Sequence, residues 1–154
     1  MIDKNSNLAA EDIADDLLYR TGLALVNGQF TGSEDCFVLP QMIETTEGAR
    51  VLREPGDVVQ LFQRVRDFLE KSAVKDVVRT IGDAEYIAED AIESVHVARL
   101  VQADGQHLRA PYPVYSLLKR CADRTWRIAH TSYGIIDSRA HNEALLTWRS
   151  TQRD

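Results

Sequence analysis

The stretch Arg120–Ile136, RCADRTWRIAHTSYGII, decides the fold. Trp126, Ile128 and His130 alternate with Arg127, Ala129 and Thr131. A period of two is that of a β-strand with two unlike faces. One face carries a large aromatic, a branched aliphatic and an imidazole, a set suited to the wall of a half-buried cavity. Asp123 and Arg124 fit a tight hairpin turn. It joins this strand, Thr125 to Ile136, to a preceding one, Tyr112 to Cys121.

The same period recurs upstream. Ala91 to Gln102 is a strand that ends at the turn residues Asp104 and Gly105. Asp76 to Ala88 is another, with Gly82 marking a kink. Long strands in succession, separated by polar turns, make an antiparallel meander. Before Ala73 the hydrophobic period changes to 3.6. Val58, Leu61, Phe62, Val65, Phe68 and Leu69 share one face of a helix over 57–72, with Asp57 and Gln60 as its capping box. Cys36 to Thr45 reads as a strand, in which Pro40 requires an edge or a bulge. Ala49 to Arg53 returns beside it. A first helix runs from Leu8 to Val26, capped by Asn7 and stopped by Asn27 and Gly28. Gly22 weakens it by about 1 kcal/mol unless close packing requires a glycine. In the tail, 138–154, Ala144, Leu145 and Trp148 stand at the spacing of a short amphipathic helix. The whole is an α+β arrangement, with helices on one face of a bent sheet.

At 154 residues the chain is expected to form one domain with a substantial core. A net charge of -6 and a pI of about 5.2 argue against nucleic acid or an anionic membrane surface as partner. No apolar run is long enough to span a membrane, and the polar N-terminus lacks the apolar stretch of a signal peptide, so the cytoplasm is the expected compartment. Cys36 and Cys121 make no metal or redox spacing and read as reduced thiols. No two of His, Asp and Glu recur at ligand spacing on a single element, so no metal and no cofactor is expected.

The chain resembles the nuclear transport factor 2-like superfamily and, within it, the SnoaL-like branch. The resemblance covers about Ala10 to Ile136. It rests on LALVNGQF (23–30), FVLPQMIETTEGARVLREPGDVVQLF (37–62), RLVQADG (99–105) and PYPVYSLLKRCADRTWRIAHTSYG (111–134). It implies a cystatin-like, cone-shaped α+β fold with helices on the concave face of a curved antiparallel sheet. It also implies a pocket between the two long helices and that sheet, and frequent homodimers through the sheet. The superfamily includes isomerases, dehydratases, cyclases, epoxide hydrolases and non-catalytic binding subunits. Two departures disfavour steroid isomerisation. Thr21 stands where those relatives carry a helix-one tyrosine, and Leu39 stands before Pro40 in place of their aspartate base. Such a reaction needs both a base and a donor to the developing enolate. Glu93 is the acidic residue offered to a cyclase-type wall.

His130 and His96 are the candidate catalytic residues, because an imidazole in an apolar cavity can serve as acid, base or donor near neutral pH. Leu17, Thr21, Leu25, Phe62, Tyr115, Trp126 and Ile128 are the expected lining of the pocket. His107 and His141 fall in expected loops, exposed to solvent. The bland alternative holds that both candidate histidines are hydrogen-bonded core residues. Two functions follow. One is a small-molecule lyase, isomerase or cyclase acting on an apolar substrate. The other is a non-catalytic ligand-binding or dimeric interaction module. Ile92, His96 and Leu100 alternate with Val95, Val97 and Val101, so the sheet is apolar on both faces. Helices cover only one, and a second copy is expected on the other.

Overall fold

A computed structural model of the protein describes residues 9–28 and 33–146. The elements are α1 (Ala10–Asn27), β1 (Phe37–Thr45), β2 (Gly48–Leu52), α2 (Pro55–Lys71), β3 (Val74–Ala88), β4 (Ala91–Gln102), β5 (Tyr112–Arg120), β6 (Trp126–Tyr133) and α3 (Arg139–Leu146). A single 3-10 turn over Ser33–Cys36 leads into β1. Among the described residues no helix is long and apolar enough to cross a membrane.

In α1, Ile13, Ala14, Leu17, Thr21 and Ala24 are buried on one face. Glu11 and Asp12 sit in the first turn, where the helix dipole favours acids. Gly28 ends the helix at φ 67°, the left-handed conformation that a residue without Cβ adopts freely. The N-cap position is Ala9, which makes no side-chain cap. The expected cap, Asn7, and Trp148 of the tail helix's expected apolar face lie outside the described residues. The capping box of α2 is formed by Glu54 and Asp57, one turn ahead of the expected Asp57 and Gln60. Pro55 explains the earlier start, since its fixed φ and missing N–H suit the first helical turn. Asp57 Oδ2 accepts the backbone N–H groups of Arg53 at 2.8 Å and Glu54 at 3.1 Å.

The strands form one sheet in the order β2-β1-β6-β5-β4-β3. β3 to β6 are consecutive and antiparallel, as the sequence pattern implies. The sheet is mixed rather than antiparallel throughout, because β6 returns beside β1 in the same direction. Among the described residues its ladders slip at five places, and three of these bear on the site. At Gly82 the register against β4 shifts between Ile81 and Asp83, which bends β3. Between β1 and β6 the pairs Phe37–Ile128 and Met42–His130 are separated by unequal lengths of chain. The excess on β1 contains Pro40, which has no N–H for a ladder. The third bulge lies in β6. Leu118 faces Ile128 and Leu117 faces His130, so Ala129 is an extra residue. An extra residue reverses which side chains face the core beyond it.

The inner face of the sheet packs on α1 and α2. Leu17, Ile43, Leu52, Val58, Ile92, Leu118 and Ile135 are fully buried there. α3 packs against α2, β1 and β2. Leu145 is buried, and Asn142 Nδ2 donates to Ile135 O at 3.1 Å and to Thr46 Oγ1 at 3.2 Å. These bonds pin the last helix to the β1–β2 turn.

Candidate functional site

Under α1 and α2 the cone encloses a cavity of about 70 Å³. Its apolar wall comes from Leu25, Phe37, Leu61, Phe62, Val114 and Ile128. An engineered cavity of about 150 Å³ admits benzene. The present space therefore accepts only a few non-hydrogen atoms without side-chain movement. Polar groups reach it from several elements, chiefly Thr21, Arg79, His96, Tyr112, Tyr133 and His141.

His96 is 6% exposed, at the centre of the inner face of β4. Burial first, and the positive charge of Arg79 second, push its pKa down to about 3. The ring is therefore neutral at physiological pH. Burial also raises the phenols of Tyr112 and Tyr133, which stay protonated as donors. Among the described residues, none of these three polar groups has a hydrogen-bond partner. Buried polar groups are nearly always partnered in folded proteins, so three together in one cavity need a reason.

Arg79 enters from β3, between Val77 and Ile81 on the inward row. Its Nη2 donates to Leu18 O at 2.6 Å and to Thr21 Oγ1 at 3.0 Å. Thr21 Oγ1 in turn donates to Leu17 O at 2.8 Å. Gly22 makes this approach possible, since a Cβ there would stand 3.0 Å from Arg79 Nη2. The weak position in the first helix is thus a packing requirement. Arg79 also borders an open groove between α1 and β3, lined on its outer side by Asp12, Asp15 and Asp16.

His141 is 2% exposed rather than solvated, because the tail helix docks with this side inward. Its ring stacks on Phe68 at 4.6 Å and meets Tyr112 edge-on at 5.5 Å. Arg109 Nη2 donates to His141 Nδ1 at 3.0 Å, and an arginine can only donate. Nδ1 is therefore the acceptor and Nε2 carries the proton. Burial, with Arg109 second, pushes this ring too down to about 3. The missed signal was helical: His141, Ala144 and Leu145 stand at i, i+3 and i+4. For Arg79 the signal was a charge inside an apolar alternating row.

Of the expected site residues, the structure brings His96, Thr21, Leu25, Phe62 and Ile128 to the cavity. Four others are corrected. His130 lies on the outer face, where Nε2 meets Glu44 Oε1 at 2.7 Å. The Ala129 bulge is the cause: Ile128 stays inward, His130 turns outward, and Thr131 and Tyr133 take its place. Tyr115 is 50% exposed on the outer face. Trp126 lies at the rim, edge-on to Tyr86 at 5.9 Å. Leu17 is buried in the core beside the cavity, not on its wall. Glu93 is exposed, pointing away from the cavity. His107 is exposed as expected. Among the described residues no group of three His, Cys, Asp or Glu is placed to hold a metal ion.

No family profile matches the chain, and no curated protein matches it. Solved structures do. A nuclear transport factor 2-like protein with a cystatin-like fold from Novosphingobium aromaticivorans is similar at 14% identity and TM-score 0.63, over 92% of each chain. A hexachlorocyclohexane dehydrochlorinase from Novosphingobium barchaimii is similar at 12% identity and TM-score 0.62, over 85% of this chain and 89% of that one. A ketosteroid isomerase-like protein from Erwinia carotovora atroseptica is similar at 12% identity and TM-score 0.59, over 85% and 99%. At these identities the likeness is one of fold: the chain has the nuclear transport factor 2-like, cystatin-like α+β fold.

Proposed function

We propose that this chain is a cytoplasmic small-molecule enzyme of the lyase or isomerase type, acting on a small, mostly apolar substrate in the cavity. The observation that carries this reading is the set of three unpartnered polar groups, His96, Tyr112 and Tyr133, facing one apolar space. His96 would accept a proton from a carbon next to a polarised bond. A tyrosine hydroxyl would meet the negative charge that develops, in a dry site where such a contact is strong. The dehydrochlorinase and ketosteroid isomerase-like names of two similar structures support the class.

A second reading, a non-catalytic binding module, is favoured by one observation. A ring held at about 3 is a weak base at neutral pH. Proton–deuterium exchange into small ketones such as acetone and 2-butanone separates the two. The protein is expected to accelerate exchange over buffer, and His96→Gln to reduce that by roughly 10²–10⁴-fold. His130→Asn, on the far face, is expected to leave it unchanged. No acceleration by the unaltered protein, or full activity in His96→Gln, would sink the enzyme reading.

Assembly belongs to the same proposal. Met42, Val78 and Tyr115 are 41%, 44% and 50% exposed on the outer sheet face, beside Val95 and Val97. An apolar sheet face of this kind is covered most simply by its own copy around a two-fold axis. Light scattering is expected to return twice the chain mass of 17.4 kDa. A monomer mass at micromolar concentration would contradict it.

A further inference from the structure

We infer that the molecule bound in the cavity carries a carboxylate, and that Arg79 is the group that holds it. This rests on the cavity being a ligand site, and adds the ligand's chemical class.

Six other arginines of the described chain have carboxylate partners: Arg20 with Asp16, Arg66 with Glu70, Arg109 with Asp137, Arg120 with Glu89, Arg127 with Asp123 and Arg139 with Glu47. Arg79 is half-buried on the inward row of its strand and lines the cavity. Yet among the described residues its hydrogen-bonding partners are only a carbonyl and a hydroxyl, Leu18 O and Thr21 Oγ1, both neutral. Asp16, across the groove, is engaged by Arg20 Nε at 3.1 Å. Burial works against the charged form of Arg79, and the phenols Tyr133 and Tyr112, which stay protonated, bring no counter-charge. A desolvated cation without a counter-ion is unfavourable, and supplying the counter-ion recovers much of that free energy.

The shape of the site narrows the class. A guanidinium presents a planar fork, which a carboxylate matches with two parallel bonds. One cation in a mostly apolar wall suits a monoanion with a hydrocarbon body. Nη2 is held by Leu18 and Thr21, so the remaining guanidinium donors are left for a ligand. The cavity of about 70 Å³ limits the body to a short chain. Asp12, Asp15 and Asp16 on the groove oppose the approach of any anion, an effect that salt screens.

Propionate and propionamide have nearly the same shape and differ in charge. Calorimetric titration in physiological salt, with the His96 ring signals followed by NMR, compares them. Propionate is expected to bind at least about tenfold more tightly than propionamide and to shift the His96 signals. Arg79→Met is expected to abolish the difference, and Arg79→Lys, which restores a charge without the fork, to recover part of it. Equal binding of the two probes, or a carboxylate preference that survives in Arg79→Met, overturns the inference. If propionamide shifts His96 as strongly as propionate does, the cavity remains a ligand site and only the carboxylate is lost. If neither probe shifts His96 at tens of millimolar, both the inference and the cavity reading fall.

Discussion

Lowering the pH from 7 to 5 is expected to remove several kcal/mol of folding stability. His96 and His141 are both buried as neutral rings, with pKa values pushed down to about 3 from 6.5. In the unfolded chain both return to the ordinary value. Below pH 6.5 the unfolded state therefore binds protons that the folded state refuses, and stability falls as pH falls. Above pH 6.5 neither state is charged and the effect vanishes. Each ring contributes up to about 1.4 kcal/mol per pH unit inside this window, so the pair approaches about 3 kcal/mol per unit. Between pH 7 and 5 the pair removes about 4 kcal/mol, a large fraction of a total of about 5–15 kcal/mol. Urea midpoints measured from pH 7.5 to 5 by circular dichroism check it. His141→Gln is expected to reduce the slope by about half. A midpoint that stays flat down to pH 5 would show that the two rings titrate normally and are not enclosed as described.

Arg109→Met is expected to cost about 2–4 kcal/mol, the range for breaking a buried network. Three contacts end together. Arg109 pairs with Asp137 across 3.1 Å, donates to His141 Nδ1 at 3.0 Å, and lies 5.9 Å from the Phe68 ring centroid. Asp137 is half-exposed and solvated when abandoned, but His141 is not. Its acceptor nitrogen would remain buried without a donor, which is the expensive outcome. The melting temperature is expected to fall by roughly 4–16 °C. The location matters more than the size. Hydrogen exchange should speed up across Arg139–Leu146 while the centres of β4 and β5 stay protected. Asp137→Asn, which removes only the solvated partner, is expected to change stability by no more than about 1 kcal/mol. Uniform loss of protection over the whole sheet would mean that α3 is not a separable latch.

The two predictions place the weight of the site on residues of unequal legibility. His96 could be read from sequence because β4 is regular: Ile92, His96 and Leu100 share one face by simple alternation, and that face is the buried one. Phe62, Thr21 and Leu25 followed from the 3.6 period of the helices in the same way. His130 could not be placed correctly, although it sits on the most recognisable stretch of the chain. Its face depends on Ala129 being skipped in the pairing with β5, and nothing in TWRIAH marks that residue as extra. Arg79 was hidden for a related reason. A charge in an alternating row reads as solvated unless one knows that Gly22 of α1 opens a path for its guanidinium.

The sequence by itself determined the periods, and with them the order of helices and strands, the apolar faces and the α+β architecture. These depend on interactions between residues a few positions apart, which the chain carries in its own pattern. The tertiary structure alone decided which strand lies parallel to which, where a register slips, and what a buried side chain meets. β6 finds β1 only after the whole meander has been laid down, and the Ala129 bulge exists only in that company. Because each strand presents opposite faces at successive residues, one unpaired position exchanges the inner and outer sets beyond it. The identity of the cavity-facing residues on β6, Thr131 and Tyr133 in place of His130, is therefore a property of the pairing between distant segments and not of the segment itself.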